Sequence, residues 1–350
     1  MRIAQISPLH ESVPPQRYGG TERIVSYLTE ELVSLGHDVT LFASADSVTS
    51  ATLVPCARSS LRTSEWCRDP LAVHLAMIED VGRRAGEFDI IHSHIEYLPL
   101  PVLSRMATPY LTTVHGRLDL ADYGTVLARF PTSPFVSLTM AQRQPLPDLN
   151  WAGNINHGLP PGLLGFASGP GEYLAFLGRA TPEKGLNVAI RIALEVGMPL
   201  KIGAKVDNVD KAYFDSVIVP LLDHPDIEFL GEIGGQAKQE LLGGAAALVF
   251  PIDWPEPFGL VMIEAMACGT PVIARRRGSV SEVVDDGRTG FVVETAGEAA
   301  AAVGKLDRID RRGVRAEFER RFTVNRMTQQ YLSLYERLAR SRRPLVLAAD

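Results

Sequence analysis

The sequence predicts an α/β protein built as two consecutive βαβ domains, each on a parallel sheet. Three observations carry that expectation. Short β-type runs alternate with helix-period segments in the first part of the chain. A stretch rich in Gly, Pro and Asn interrupts the pattern between residues 149 and 171, and beyond it the alternation restarts.

Taken in order, residues 3–6 form a first strand, 22–35 a helix closed by Gly36, and 39–42 a second strand. Strand, helix, strand in succession implies parallel pairing, because a crossover returns the chain to the same edge direction. A helix over 71–84 and strands over 89–92 and 110–114 continue the unit. The connector carries Asn156, Gly158, Pro160, Pro161, Gly162, Gly165, Gly169, Pro170 and Gly171, a composition with little cost to staying extended. The boundaries follow: residues 1–165, 166–325, and a C-terminal helix and tail over 326–350. In the second domain strands are expected over 173–177, 200–202, 227–230, 246–251 and 271–274, with helices over 186–196, 213–222, 237–243 and 259–267. A basic run with Arg311, Arg312, Arg315, Arg320 and Arg321 leads into an amphipathic helix over 324–340. It reads as a solvated face docking back on the body, in preference to a membrane-surface contact.

Composition narrows the function. The chain has 350 residues, 46% of them hydrophobic and 22% charged, enough for two packed cores. Lys and Arg number 35 against 41 Asp and Glu, a net charge of −6, so no polyanion is drawn to the whole surface and a nucleic-acid partner is not expected. Cys56, Cys67 and Cys268 form no CxxC and are odd in number, which suits a reducing compartment; the cytoplasm is the expected location. The apolar run at the N-terminus is too brief for a signal peptide core. Stretches such as 241–252 and 149–171 are too short or too broken for a transmembrane helix. No repeat of solenoid length appears.

In open parallel sheets the loops at the strands' carboxyl ends bind ligands, and two such sheets facing one another would place them on the walls of one cleft. Three loops there carry chemistry. The first ends Tyr18-Gly19-Gly20-Thr21-Glu22-Arg23. Glycines allow close backbone approach, and the helix start that follows offers N–H groups to an anion such as phosphate; a simple tight turn is the competing reading. Neither GxGxxG nor GxxxxGK[ST] is present. The second loop is Gly178-Arg179-Ala180-Thr181-Pro182-Glu183-Lys184-Gly185, where a forked donor and a point charge are set to share one pair of phosphates; pairing with Glu183 or solvent is the alternative. The third runs Trp254-Pro255-Glu256-Pro257-Phe258-Gly259-Leu260 and on to Glu264 and Gly269. Pro257 suits the first helical position, so the N–H groups of Phe258, Gly259 and Leu260 would lie in the first turn as a second anion seat. Glu256 precedes that seat and Glu264 lies about two turns deeper. A carboxylate accepts paired hydrogen bonds from vicinal hydroxyls, so the two suit two polyols flanking a diphosphate. Glu264, in an otherwise apolar helix, is too costly to bury without a partner.

With these residues in place, the chain resembles a retaining glycosyltransferase of the GT-B fold, family 4 (glycosyl transferases group 1). Glu256 and Glu264 form its E-x7-E pattern, beside the Gly-Arg-(x)4-Lys-Gly loop and the Gly-Gly of the first loop. Asp89-Ile90-Ile91-His92-Ser93-His94, Thr113-Val114-His115-Gly116, Asn156-His157-Gly158, Glu228-Phe229-Leu230-Gly231 and the segment 281–291 extend the likeness through most of the chain. The resemblance implies two Rossmann-like domains facing across a cleft, the first on the acceptor side and the second on the donor side, with a C-terminal helix packing back on the first. It also implies that Arg179 and Lys184 hold the donor diphosphate, Glu264 the ribose and Glu256 the transferred sugar, that Gly19 and Gly20 close over the phosphates, and that His115 lines the reaction centre. His92 and His94 are read as ordinary strand histidines. One departure touches selectivity: Arg275-Arg276-Arg277-Gly278-Ser279 stands where the family often has a Gly-Gly pair before its Pro-Glu.

Transfer of a hexosyl group from a nucleotide-diphosphate sugar asks the protein mainly to neutralise a departing diphosphate. No Asp-x-Asp occurs in the sequence, so a metal-independent enzyme without cofactor is expected. Retention of configuration rests on the resemblance alone. Donors of the UDP-glucose or GDP-mannose type are both compatible. The acceptor is a sugar, a lipid-linked or a small molecule met by loops such as 11–17 and 49–69, and peripheral membrane contact stays open. The alternatives are a sugar-nucleotide epimerase, a disaccharide synthase or phosphorylase, and a non-catalytic nucleotide-sugar binding protein.

Overall fold

The computed structural model describes residues 1–16, 18–62 and 64–341, so Arg17 and Thr63 in the two expected acceptor loops and the tail over 342–350 lie outside the described residues. The chain divides into two units: Met1–Leu138 with Arg143–Gly158 and Val324–Asp350, and Thr139–Gln142 with Leu159–Thr323.

The first unit holds a parallel sheet of seven strands. They are β1 (Arg2–Ile6), β2 (Asp38–Ser44), β3 (Thr52–Ala57), β4 (Ile90–Ser93), β5 (Tyr110–Thr113), β6 (Phe135–Ser137) and β7 (Trp151–Asn154), in the order β3-β2-β1-β4-β5-β6-β7. The second unit holds β8 (Tyr173–Arg179), β9 (Leu200–Lys205), β10 (Ile227–Gly231), β11 (Ala245–Phe250), β12 (Val272–Arg275) and β13 (Gly290–Val293), also parallel, in the order β10-β9-β8-β11-β12-β13. Strand order reverses between β1 and β4 in one sheet and between β8 and β11 in the other. Those are the points where doubly wound sheets open a crevice.

One face of the first sheet is apolar in the ordinary way: Ala4, Ile6, Phe42 and Ile91 pack with Met77, Ile78 and Val81 of the helix Pro70–Arg84. The opposite face carries Gln5, His92 and Thr113, all fully buried. It is covered by the helix Val324–Ser341, whose Met327, Tyr331, Leu334 and Tyr335 repeat at helical spacing and turn inward. The last helix thus packs on the N-terminal sheet. In the second unit Leu174, Phe176, Ile202 and Val249 pack with Ile190 and Ala193 of the helix Leu186–Val196.

Four departures from the sequence-based expectations have local causes. The strand β3 contains Pro55, which a central strand excludes and an edge strand tolerates. The strand β7, another edge, sits inside the stretch whose composition reads as connector. The helix expected over 213–222 breaks into Lys211–Tyr213, a π turn over Phe214–Ile218 and a 3-10 turn over Val219–Leu221; Pro220 lacks the N–H that a regular helix needs. The basic run is a helix, Arg311–Arg321, and not a solvated face throughout. Arg311 donates to the carbonyls of Ala167 (3.1 Å), Ala245 (2.8 Å) and Gly243 (3.0 Å), and Arg315 to those of Leu164 and Pro161 (both 2.9 Å). These guanidinium groups staple loops of the second unit.

Candidate active site

In the second unit the charged residues gather at the switch point. Arg179 ends β8, and the chain then makes a single 3-10 turn, Pro182–Lys184, closed by Gly185 at φ 73°. A side chain at Gly185 would place its Cβ 2.3 Å from the Pro251 carbonyl oxygen, so only glycine lets this loop lie on the loop that leaves β11. The Asp253 N–H donates to the Glu183 carbonyl at 2.8 Å and fastens the two together. That contact delivers Lys184: its Nζ lies 2.5 Å from Glu256 Oε2, to which Trp254 Nε1 also donates at 2.9 Å. The ammonium sits 4.7 Å from the Trp254 ring centroid and 5.8 Å from that of Phe250, within cation–π range. Arg179 faces Glu183 at 3.3 Å and Asp207 at 3.7 Å, and Asp207 in turn meets Lys205 at 2.9 Å. The pairing of Arg179 with Glu183 that the sequence left as an alternative is therefore present.

The helix behind this loop starts later than expected. It spans Leu260–Ala267 with Gly259 as its N-cap at φ 78°. Pro257 is not its first residue, Phe258 lies outside it, and Glu264 is just over one turn inside it. The carbonyls that an earlier start would use are engaged elsewhere. The Glu256 oxygen accepts from Ser279 N (2.9 Å), the Pro257 oxygen from Thr139 Oγ1 (2.9 Å) and the Phe258 oxygen from Ser279 Oγ (2.8 Å). Of the three N–H groups read as an anion seat, that of Leu260 alone belongs to the helix. Phe258 is a buried anchor set edge-on to Phe322.

Glu264 is 5% exposed, and its Oε1 receives Lys238 Nζ at 2.7 Å. A carboxylate in an apolar helix does need a partner, as the sequence implies. The partner at hand is a lysine of the helix Gly235–Gly243, and the sequence signal for it is the one basic residue of that helix. Burial alone therefore does not point Glu264 at a ligand. From the loop after β12, Gly278 at φ 51° would bring a Cβ within 2.3 Å of the Glu256 carbonyl oxygen, so this glycine wedges Glu256 into place. The three arginines before it meet carboxylates: Arg275 pairs with Asp253 at 2.8 Å, Arg276 with Glu294 at 2.7 Å and Arg277 with Asp253 at 3.3 Å.

In the first unit Gly19, at φ 153°, caps the helix Gly20–Ser34, and a Cβ there would lie 2.7 Å from the Pro15 side chain. His115 follows β5. Its ring Nε2 lies 2.9 Å from His94 Nδ1, whose Nε2 meets Gln5 Oε1 at 2.8 Å, and its face stacks on His157 at 5.3 Å between centroids. Burial pushes the His115 imidazole down to about 3 and holds His92, His94 and His157 well below the usual histidine range. The His115 and Gly116 N–H groups both donate to Glu96 Oε1 at 3.0 Å. Burial outweighs these two bonds and raises the Glu96 carboxyl to about 7; its backbone is left-handed, φ 54°. The reading of His94 as an ordinary strand histidine overlooks that it holds His115. Gln5, Tyr331, Tyr335 and Glu96 are absent from the sequence-derived site. For Gln5 the available signal is a polar residue inside a strand that should be apolar on both faces; Glu96 lies in a loop and the two tyrosines on the last helix, where no such pattern marks them.

Two doubly wound parallel sheets in series, with charges at the switch point of one and imidazoles at that of the other, define the GT-B architecture. Solved structures agree: AviGT4, a glycosyltransferase involved in avilamycin A biosynthesis, matches with a TM-score of 0.75 and 24% identity over 97% of this chain and 98% of that one. HepE of Anabaena, in complex with UDP and glucose, matches with a TM-score of 0.73 and 17% identity over 96% and 100%. The family described as glycosyltransferase family 4 matches residues 18–150, and glycosyl transferases group 1 matches residues 167–323. The chain belongs to the GT-B glycosyltransferases of group 1. The glycogen synthase of Mycobacterium tuberculosis is 25% identical over 99% of this chain and 98% of its own length. The phosphatidyl-myo-inositol mannosyltransferase of Mycobacterium leprae is 28% identical over 97% and 98%. Among the described residues no helix is long and apolar enough to cross a membrane.

Proposed function

We propose that this glycosyltransferase moves a hexosyl group from a nucleoside-diphosphate sugar, of the UDP-glucose or GDP-mannose type, to an acceptor hydroxyl with retention of configuration and without a metal ion. The observation that carries the reading is the placement of Lys184 at the second sheet's switch point, against Glu256 and the Trp254 ring. A pyrophosphate competing there meets an ammonium whose present counterion is a single carboxylate, and Arg179 from the same strand end adds a forked donor. Such groups stabilise the charge that develops on a leaving diphosphate. The displaced Glu256 is then suited to accept from sugar hydroxyls, Glu264 to accept from the ribose through the oxygen not held by Lys238, and the Leu260 N–H to meet the phosphate. Gly19 and Gly20 are assigned to the phosphates and His115 to the sugar on the resemblance. The missing Asp-x-Asp supports metal independence, and three free cysteines suit a cytoplasmic enzyme.

The test is Lys184→Ala assayed with a panel of nucleotide sugars, at a temperature well below the variant's own melting point. Turnover falls by roughly 10²-fold, the scale of losing one preorganised transition-state donor. An unchanged rate removes Lys184 from the mechanism.

A further inference from the structure

The first unit's switch point holds a hydrogen-bonded chain whose polarity can be worked out link by link. Gln5 on β1 directs Nε2 to the Tyr335 hydroxyl at 3.2 Å and Oε1 to His94 Nε2 at 2.8 Å. The amide is set with its Nε2–H toward the tyrosine oxygen, and the 3.2 Å separation is longer than the roughly 2.5–3.0 Å of an O–H···O bond. The Tyr335 proton is then available to His92 Nδ1 at 2.7 Å, and His92 Nε2–H donates to Thr113 Oγ1 at 2.7 Å. On the other arm the Gln5 oxygen only accepts, so His94 carries its proton on Nε2. A neutral imidazole has one N–H. His94 Nδ1 is therefore an acceptor, and the 2.9 Å contact requires the proton of His115 on Nε2.

We propose that Gln5 and His94 are positioning residues that fix His115 in the Nε2–H tautomer, so that its Nδ1 offers a lone pair and selects a ligand group that donates a hydrogen bond. This rests on the reading of His115 as a sugar contact and names what that contact accepts: a sugar hydroxyl, in preference to the carboxylate of a uronic acid, which would face a lone pair. Burial pushes the ring well below the usual histidine range and so favours its neutral form. The backbone of His115 is held separately, by Glu96, so the two devices fix chain and ring independently.

The test is the two-bond ¹H–¹⁵N ring spectrum of the full-length chain labelled with ¹⁵N-histidine, without ligand at pH 7.5. The expected result is His94 and His115 both protonated on Nε2. An Nδ1–H signal for His115 means the chain runs the other way and overturns the proposal. In Gln5→Leu the His94 proton loses its acceptor; the His115 ring then shows both tautomers, and KM for a neutral hexosyl donor rises about tenfold with less effect on kcat. An unchanged His115 tautomer in that variant removes Gln5 from the role. If the variant does not fold, the wild-type spectrum decides alone. The Nε2–H tautomer with no affinity for any nucleotide sugar sinks the proposed function and leaves the relay standing, so the two failures are distinguishable.

Discussion

Gly185→Ala separates the close approach of the Lys184 loop to Pro251 from ordinary backbone strain. An added Cβ would lie 2.3 Å from the Pro251 carbonyl oxygen and 3.1 Å from its carbon. Since C···O contacts normally stay at roughly 3.3 Å or more, the loop bearing Lys184 must retreat by about 1 Å. Gly197 supplies the control: it has nearly the same left-handed backbone, φ 64° and ψ 33° against φ 73° and ψ 29°, and nothing within 4 Å of its Cβ position. Alanine in that conformation costs about 1–2 kcal/mol, partly offset by a stiffer unfolded chain. Gly197→Ala is expected to lose that amount and keep its turnover. Gly185→Ala is expected to lose a further ~1–3 kcal/mol from the forced shift, and about 10²-fold in turnover because reacting groups are displaced by about an ångström. Urea denaturation and steady-state transfer on the two variants give both quantities. Equal stability and equal turnover in the two variants would mean that the clash at Gly185 has no consequence for the loop bearing Lys184.

Three further outcomes follow from the structure. Acid destabilises the protein: His92, His94, His115 and His157 are held neutral in the fold, while the unfolded chain binds protons near 6.5, so their contribution is complete above that pH and lost as pH falls through the folded values. Glu96, raised to about 7, acts in the opposite sense. Four groups outweigh one, and the unfolding free energy from urea denaturation should fall between pH 6.5 and 5.5 at a rate on the order of 1 kcal/mol per pH unit or more; a flat or rising value contradicts this. Arg311→Met strips donors from the carbonyls of Ala167, Gly243 and Ala245, so stability should fall by about 1–3 kcal/mol with nucleotide affinity intact. Matched melting curves would count against the staple. Tyr335→Phe leaves the Gln5 amide and His92 each short of a partner inside the sheet and should cost about 1–3 kcal/mol in the same assay.

What the sequence reveals depends on how local each cause is. The strands Ile3–Ile6 and 173–177 and the helix 186–196 are legible because apolar periodicity and a glycine stop act within one segment. The edge strand β7 is hidden, since only its neighbour β6 makes it a strand. The delay of the helix to Leu260 is hidden for a similar reason: Ser279 and Thr139, distant in sequence, take the carbonyls that would have extended it. At the site, residue types announce Arg179, Lys184, Glu256 and Glu264, yet not who meets whom. Lys184 against Glu256, and Lys238 against Glu264, are pairings across different loops and helices. The histidine chain is only partly visible: polar residues in buried strands mark an anomaly, while its order from Gln5 through His94 to His115 exists only once β1, β4 and β5 lie side by side.

The most direct measurement is calorimetric titration of UDP, GDP and ADP, each beside its monophosphate, into the wild-type chain and into Arg179→Ala and Lys184→Ala. At least one diphosphate is expected to bind, and each substitution to weaken it at least tenfold, with much less effect on the matching monophosphate. Binding of no diphosphate, or a diphosphate affinity indifferent to both substitutions, would contradict this.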